Sequence, residues 1–142
     1  MKASCSKFSQ CLYFMSGALA RKVERLAVDS WKPVDLSPSH AYLLLTVLET
    51  PGIQPGALAD HLQLQPSTIT RLMQKLEEKK LIVRTTEGKL TNVYPTPKAK
   101  ELYPKMKTCI EVFHGHCDRL LNRQEAGRLL GSMGSLADRM DD

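Results

Sequence analysis

The feature that most constrains the fold of this chain is a pair of short helical patterns joined by three residues. One pattern covers residues 55–62 and the other covers residues 66–79, and each opens with a proline. Proline is favoured at the first position of a helix, where its missing N–H would have no partner in any case. A tight join of this kind between two helices is typical of a helix-turn-helix. The sequence therefore predicts this motif near the middle of the chain.

A small β-hairpin is predicted directly after the motif. Beyond Lys80 the hydrophobic period falls from about 3.6 residues to about 2. We therefore expect a strand over residues 81–84, a turn over residues 85–88 and a returning strand over residues 89–94.

Longer helices are predicted on both sides of the motif and its hairpin. Apolar residues from Phe8 to Leu26 recur at spacings of three and four, which predicts a helix over residues 6–30. Ser37 and Pro38 form a start signal for an apolar, central helix over residues 38–50. Two more helices follow from residue 97 onward. The last is expected to bury Ala126, Leu129, Leu130, Met133, Leu136 and Met140.

These elements predict a mainly α fold with a small β-hairpin wing. The winged helix-turn-helix core covers residues 36–97, an N-terminal helix and linker cover residues 1–35, and C-terminal helices cover residues 98–142. The terminal helices have broad apolar faces that one small winged domain cannot cover. We therefore expect both ends to form the interface of a homodimer.

The positive charge of the chain is concentrated in one segment. Residues 63–100 contain eight basic and three acidic side chains, and this excess equals the net charge of +5 for the whole chain. A local positive field of this kind is typical of a protein that binds a polyanion. The alternative is a solvated helix face and hairpin that happen to be basic.

The second helix of the motif has the polarity of a helix that reads DNA. At about 100° per residue, Ile69, Leu72, Met73 and Leu76 fall on one side. The opposite side carries Ser67, Thr70, Arg71, Gln74, Lys75 and Glu78. Arginine can bridge O6 and N7 of guanine and glutamine can pair with adenine in the major groove. An ordinary amphipathic surface helix is the alternative interpretation.

Residues 36–96, and above all the stretch ALADHLQLQPSTITRLMQKLEEKKLIVR, resemble the MarR family of bacterial winged helix-turn-helix regulators. The resemblance implies a dimeric, sequence-specific transcriptional repressor on a pseudo-palindromic operator in double-stranded DNA, relieved by a small molecule or an oxidant. It places DNA-binding residues on the recognition helix and on the wing. Those on the recognition helix are Ser67, Thr68, Thr70, Arg71, Gln74 and Lys75, and the one on the wing is Lys89.

Three positions depart from the family pattern. Lys80 stands where the family usually has glycine after the recognition helix, and a side chain in that left-handed position costs about 1 kcal/mol. Glu87-Gly88-Lys89 replaces the usual Asp-x-Arg of the wing. Gln65 occupies the helix-capping position, where it is a poor cap, and we expect it to contact DNA instead.

Other sites remain open as alternatives. Cys11 is the first candidate for a thiol-based redox response, which needs an accessible thiol of lowered pKa. Cys109, His114, His116 and Cys117 resemble a metal site only loosely, because zinc ligands usually come in pairs two to five residues apart. We expect no metal and no cofactor.

Trp31, His40 and Tyr42 are candidates for an effector cleft, or are plain packing residues.

Several classes of protein are excluded from the outset. With 42% hydrophobic and 25% charged residues the chain has the composition of an ordinary globular domain. It has no phosphate-binding glycine loop and no hydrolase or metalloprotease motif, so we expect no enzyme. Its longest uncharged stretches have 13 residues, short of the roughly 20 that cross a membrane. Lys2 and Lys7 precede an apolar patch, as in a signal peptide, but the helical spacing continues past the apparent cleavage site at Ala20. We therefore expect a cytoplasmic protein.

A winged-helix protein-interaction module without specific DNA binding remains the alternative to a regulator.

Overall fold

The computed structural model describes residues 1–141. Over this range the chain forms six α-helices and one antiparallel hairpin, with short 3-10 turns at Ala3–Cys5 and Lys32–Val34. The elements are α1 (Leu12–Trp31), α2 (Pro38–Glu49), α3 (Pro55–Leu62), α4 (Pro66–Glu78), β1 (Ile82–Glu87), β2 (Leu90–Pro95), α5 (Pro97–Leu120) and α6 (Arg123–Met140). This confirms the predicted winged helix-turn-helix architecture with flanking helices.

Local sequence signals define where most of these helices begin. Helices α2, α3, α4 and α5 each have proline in the first turn. Ser37 and Thr96 cap α2 and α5 by accepting hydrogen bonds from backbone N–H groups three residues on. Helix α6 begins with a reciprocal capping box, in which Asn122 Oδ1 accepts from Glu125 N at 2.8 Å and Glu125 Oε1 accepts from Asn122 N at 3.2 Å.

The core forms around α2, as its apolar composition predicted. Ala41, Leu43, Leu44 and Val47 are buried along this helix, which packs against α1, α3, α4, α5 and β2. The large side chains that are fully buried are Trp31, Leu43, Leu44, Leu58, Ile69, Met73, Leu76, Ile82, Met106, Val47 and Val93. Since α4 and the hairpin rest directly on α2, this core fixes how they are presented to solvent.

Both helices of the central motif end in a left-handed residue that is not glycine. At the end of α4, Lys80 has φ 61°. Its N–H bonds to Glu77 O at 2.9 Å and the N–H of Leu81 bonds to Leu76 O at 2.9 Å, which is the Schellman arrangement. Gln63 takes the same conformation after α3, with φ 54°. Gln63 therefore lies in the turn between the two helices, and Lys80 in the connection from α4 to the hairpin; both positions carry the strain of a side chain at positive φ.

The hairpin is longer than its hydrophobic period predicted, and its turn is shorter. Strand β1 continues to Glu87, which pairs with Leu90, so the predicted four-residue turn over 85–88 is wrong. Thr85 and Thr86 are β-branched and continue the ladder. Gly88, with φ 63°, supplies the positive φ that a two-residue hairpin turn needs at its first central position. Lys89 consequently lies in the turn at the tip of the wing.

A glycine ties the wing to the end of α2. Gly52 N donates to Val93 O at 2.7 Å, and Val93 N donates to Ile53 O at 3.0 Å. Gly52 has φ 89°, and a Cβ there would lie 3.2 Å from the hydroxyl of Tyr94. Only glycine fits this close approach without strain. The wing is therefore anchored to the core and does not project as a free hairpin.

The N-terminal helix begins later than predicted. Helix α1 starts at Leu12, and Cys11 is its N-cap residue, so the expected start at residue 6 is wrong. In the preceding segment the Ser6 hydroxyl accepts a hydrogen bond from Phe8 N at 3.1 Å. Such local side-chain bonds compete with helix formation. Phe8 instead packs against Phe14, with ring centroids 5.6 Å apart.

The apolar face of α6 is exposed, contrary to the predicted burial. No residue of α6 is buried, and over residues 1–141 no other element packs extensively along it. The exposed large residues of this face are Leu129, Leu130, Met133, Leu136 and Met140. A sequence pattern identifies an apolar face but not its partner, and none of the other elements within residues 1–141 supplies one.

Lys80 provides a test of the helix-end strain. We expect Lys80→Gly to raise the free energy of unfolding by about 1 kcal/mol, because glycine removes the penalty of a Cβ at positive φ. Chemical denaturation at a fixed protein concentration measures the change.

The matched control is Lys75→Gly, in the interior of the same helix. It should lower the free energy of unfolding by about 1 kcal/mol, because glycine is a poor interior helix residue. Equal destabilisation by both variants would contradict the assigned conformation of Lys80.

Candidate nucleic-acid interface

Helix α4 presents a continuous polar strip to solvent. Its opposite face is buried through Ile69, Leu72, Met73 and Leu76, as the helical projection predicted. The candidate residues on the strip are exposed except Thr68, which is half-buried: Gln65, Ser67, Thr68, Thr70, Arg71, Gln74 and Lys75. The structure therefore brings all candidates from the recognition helix together on one surface.

Hydrogen bonds within the helix set the orientation of two of these side chains. Thr70 Oγ1 donates to Pro66 O at 3.0 Å, which occupies its only donor. Arg71 Nη2 donates to Thr68 Oγ1 at 3.4 Å, so the guanidinium leans toward the N-terminal end of α4. At that end, Arg71 keeps further N–H groups for a ligand, since a guanidinium has five donors.

The N-terminal end of α4 is suited to a negative ligand. Residues 66–69, its first turn, contain no acidic side chain, so the positive end of the helix dipole is not neutralised there. Gln65 is the N-cap residue and makes no side-chain capping bond. Its amide is exposed, and its contact with DNA stays a prediction.

The wing carries little unpaired charge. Lys89 is exposed at the turn, between Glu87 and an exposed Leu90. Arg84 pairs with Glu77 of α4 at 2.5 Å, and each of these side chains is only 33% exposed. Arg84 therefore ties β1 to α4, and Lys89 is the basic residue that the hairpin presents at its tip.

Two lysines of the basic segment bind backbone carbonyls. Lys79 Nζ donates to Asp35 O at 2.8 Å, and Lys98 Nζ donates to Lys79 O at 3.0 Å. Burial, and then the positive charges of Lys79 and Lys75, lower the pKa of nearby His40, so His40 adds no positive charge here at neutral pH. Sequence reasoning missed these roles, because partners 44 and 19 residues apart leave no local pattern.

The other candidates are dispersed. Cys11 is exposed at the start of α1, while burial raises the pKa of the Cys109 thiol. Trp31 and Tyr42 pack edge to face, with ring centroids 5.7 Å apart, whereas His40 contacts Ser37 at the start of α2. Within residues 1–141, no group of three or more His, Cys, Asp or Glu side chains is placed to hold a metal ion.

No helix within the described part of the chain is both long and apolar enough to cross a membrane.

Comparisons with known proteins find similarity to helix-turn-helix transcriptional regulators. The profile of the MarR family matches residues 34–89. The chain is 28% identical over 94 residues to the uncharacterized HTH-type transcriptional regulator YybA of Bacillus subtilis (strain 168), which covers 64% of this chain and 63% of that protein. It is 25% identical over 72 residues to the HTH-type transcriptional repressor MdtR of the same organism, covering 51% and 46%. The chain thus spans less than two thirds of either relative.

The fold comparison extends over nearly the whole chain. The transcriptional repressor CouR, in structures bound to a 23-mer DNA duplex and to p-coumaroyl-CoA, superposes with a TM-score of 0.83 at 20% sequence identity, covering 96% of this chain and 98% of CouR. At this identity the likeness shows the fold, including the flanking helices. Together, the profile match over residues 34–89, the curated regulators and the shared fold make the chain similar to the MarR family of transcriptional regulators.

Proposed function

We propose that this protein is a homodimeric, sequence-specific DNA-binding repressor. The observation that carries the proposal is the polar strip of α4, which holds exposed Ser67, Arg71 and Gln74 opposite four buried apolar residues. A helix of this kind can enter the major groove, where donor and acceptor patterns distinguish all four base pairs. The relatives support repression, since MdtR and CouR are described as transcriptional repressors and CouR has been seen on DNA.

The contacts differ in kind along the strip. Arg71 and Gln74 are assigned to base edges, with guanine and adenine as their respective partners. Gln65 and Ser67, close to the helix end that favours anions, are assigned to the phosphate backbone. Lys75, in the last turn of α4, is assigned to the phosphate backbone through its charge. Thr70 donates its hydroxyl proton to Pro66 O, so its methyl group is better placed to contact a thymine methyl. Thr68 supports Arg71.

The wing has a lesser part in this proposal. Lys89 reaches the phosphate backbone or the minor groove beside the recognition helix. Lysine lacks the planar guanidinium that arginine inserts into a narrow minor groove. Because Arg84 is held by Glu77, the wing contributes one positive charge at its tip and little sequence preference.

The partner that covers the exposed helices is a second copy of the chain. Helix α6 has 18 residues, and most of the stability of a helix in a protein comes from packing of its apolar face. Five large apolar side chains lie exposed on it, and Leu12, Leu19 and Val23 lie exposed on α1. A two-fold dimer buries these faces and matches the symmetry of a palindromic operator. Residues 1–35 and 98–142 then serve association, and residues 36–97 serve DNA binding.

A small-molecule effector completes the proposal. CouR has been seen with p-coumaroyl-CoA. Within residues 1–141, the fully buried Trp31 Nε1 has no hydrogen-bond partner, and buried polar groups are usually satisfied. We assign the effector to the neighbourhood of Trp31 and Tyr42, between the terminal helices and the DNA-binding part. A thiol response at exposed Cys11 is the second candidate, and Cys11→Ser separates the two.

The substitution Arg71→Ala tests whether the protein reads the base sequence of DNA. Selection from randomised duplexes should recover an inverted repeat, and Arg71→Ala should lose about 1–3 kcal/mol of discrimination at one base pair of each half-site. Lys89→Ala should weaken all sequences alike and reduce the slope of log affinity against log salt by about 1.

Arg21→Ala on α1 is the control, because it removes the same charge outside the strip and should leave the recovered sequence unchanged. Recovery of no motif by a folded dimer, with no salt-dependent affinity for DNA, would favour the protein-interaction module instead.

The mass of the protein in solution and the substitution Met133→Glu test the proposed dimer. Light scattering at micromolar concentration should give the mass of two chains. Met133→Glu should weaken association by about 100-fold or more, because it places a charge in an apolar interface. Arg128→Glu, on another side of α6, should keep the dimer. A monomeric wild-type protein at this concentration would refute the proposal.

Trp31 offers a direct readout of effector binding, since it is the single tryptophan of the chain. Compounds that release the operator, with p-coumaroyl-CoA as the first probe, should change its fluorescence in proportion to the DNA released. A compound that releases DNA and leaves the emission of Trp31 unaltered would place the effector elsewhere.

A further inference from the structure

The C-terminal end of α4 is held from two directions by long-range hydrogen bonds. From α5, Lys98 Nζ donates to Lys79 O at 3.0 Å and Thr96 Oγ1 donates to Lys80 O at 2.7 Å. In the other direction, Lys79 Nζ donates to Asp35 O at 2.8 Å and lies 3.8 Å from the Asp35 carboxylate. We call these contacts of Lys79, Lys98 and Thr96 the α4 clamp.

These bonds differ from ordinary surface ion pairs, which contribute little to stability. The acceptors are carbonyl groups of the backbone, so the bonds restrain the chain itself and not two flexible side chains. The last carbonyls of a helix lack intrahelical partners and carry its negative dipole end. The ammonium of Lys98 gives Lys79 O a hydrogen-bond donor and places a positive charge at the negative end of the helix, so the bond is charge-assisted.

A half-open surface pocket adjoins the clamp. Its volume is about 300 Å³, and it lies between the segment before α2, the end of α4 and the start of α5. Its apolar walls are Val34, Leu36, Leu81 and Leu102, and Lys79 and Lys98 lie at the same opening. Packing of the buried wall residues restrains the distance between these elements. The polar bonds of the clamp join the same elements at the opening of the pocket and add to this restraint.

The position of this clamp matters because a small rotation there is amplified along the helix. Helix α4 has 13 residues, so it is about 20 Å long at a rise of about 1.5 Å per residue. A rotation of about 10° around its C-terminal end moves its N-terminal end by about 3.4 Å, the rise of one base step.

We propose that Lys79 and Lys98 are positioning residues that fix the end of α4 relative to the segment before α2 and to α5, respectively, and so determine which half-site spacing the dimer accepts. This inference rests on the proposed function. Neither lysine needs to touch DNA, because each acts through the orientation of the recognition helix. Their loss lets each recognition helix rotate, and the dimer then accepts half-sites that lie one base pair closer or farther apart.

The test compares operators that differ only in spacing. Once the preferred operator is known, affinity is measured for that duplex and for duplexes with one base pair removed from or added to its centre. The wild-type protein should prefer its own spacing by about 10-fold or more. Lys98→Met and Lys79→Met, each as a single variant, should reduce this preference to about threefold or less. Lys98→Arg keeps the charge and a donor, so it should retain most of the wild-type preference.

Lys100→Met is the matched control. It lies two residues from Lys98 on α5, is exposed, and loses the same charge, so its spacing profile should remain that of the wild type. If Lys98→Met weakens binding equally at every spacing, the lysine is only a general contributor to affinity or stability, and the clamp is refuted. A wild-type protein that binds no duplex specifically overturns the proposed function itself, which is a different result. Should Lys79→Met fail to fold, the Lys98→Met and Lys98→Arg pair still decides.

Discussion

Burial of one face of α4 is the constraint on which the rest of the surface depends. Ile69, Met73 and Leu76 are almost completely enclosed against the central helix α2. At about 3.6 residues per turn, their burial forces the residues between them outward. The polar strip that carries Arg71 and Gln74 is therefore a direct product of core packing. A substitution that loosened this face would disturb the strip even if it touched no polar residue.

The basic segment has two separate uses in the folded chain. Arg71, Lys75 and Lys89 are exposed on the recognition helix and the wing. Arg84 instead joins the wing to α4 through Glu77, and Lys79 and Lys98 bond to backbone carbonyls. Net charge in a segment is thus an upper limit on the charge that it offers to a polyanion. The same residues that make the segment basic also hold its secondary structure elements in place.

The sequence predicted local features well and long-range ones poorly. The bounds of α2 and α3 and the outward strip of α4 follow from prolines, caps and the helical period, all of which act within one or two turns. The turn of the wing was misplaced, because Thr85 and Thr86 suit a strand as well as a turn. Burial along α6 was mispredicted, since its apolar pattern does not reveal which surface covers it. No pattern of neighbours could have assigned Lys98 to the end of α4.

The capping box of Asn122 and Glu125 has a consequence for the kinetics of assembly. Nucleation is the costly step of helix formation, and here the first turn of α6 is stabilised by its own residues. In the proposed dimer, folding of α6 adds no slow step to association, because a helix of about 20 residues forms within about 1 μs. For such partners association proceeds at about 10⁵–10⁷ M⁻¹s⁻¹, and differences in affinity arise mainly in dissociation. The fit between the two apolar faces then governs the lifetime of the assembly far more than the speed at which it forms.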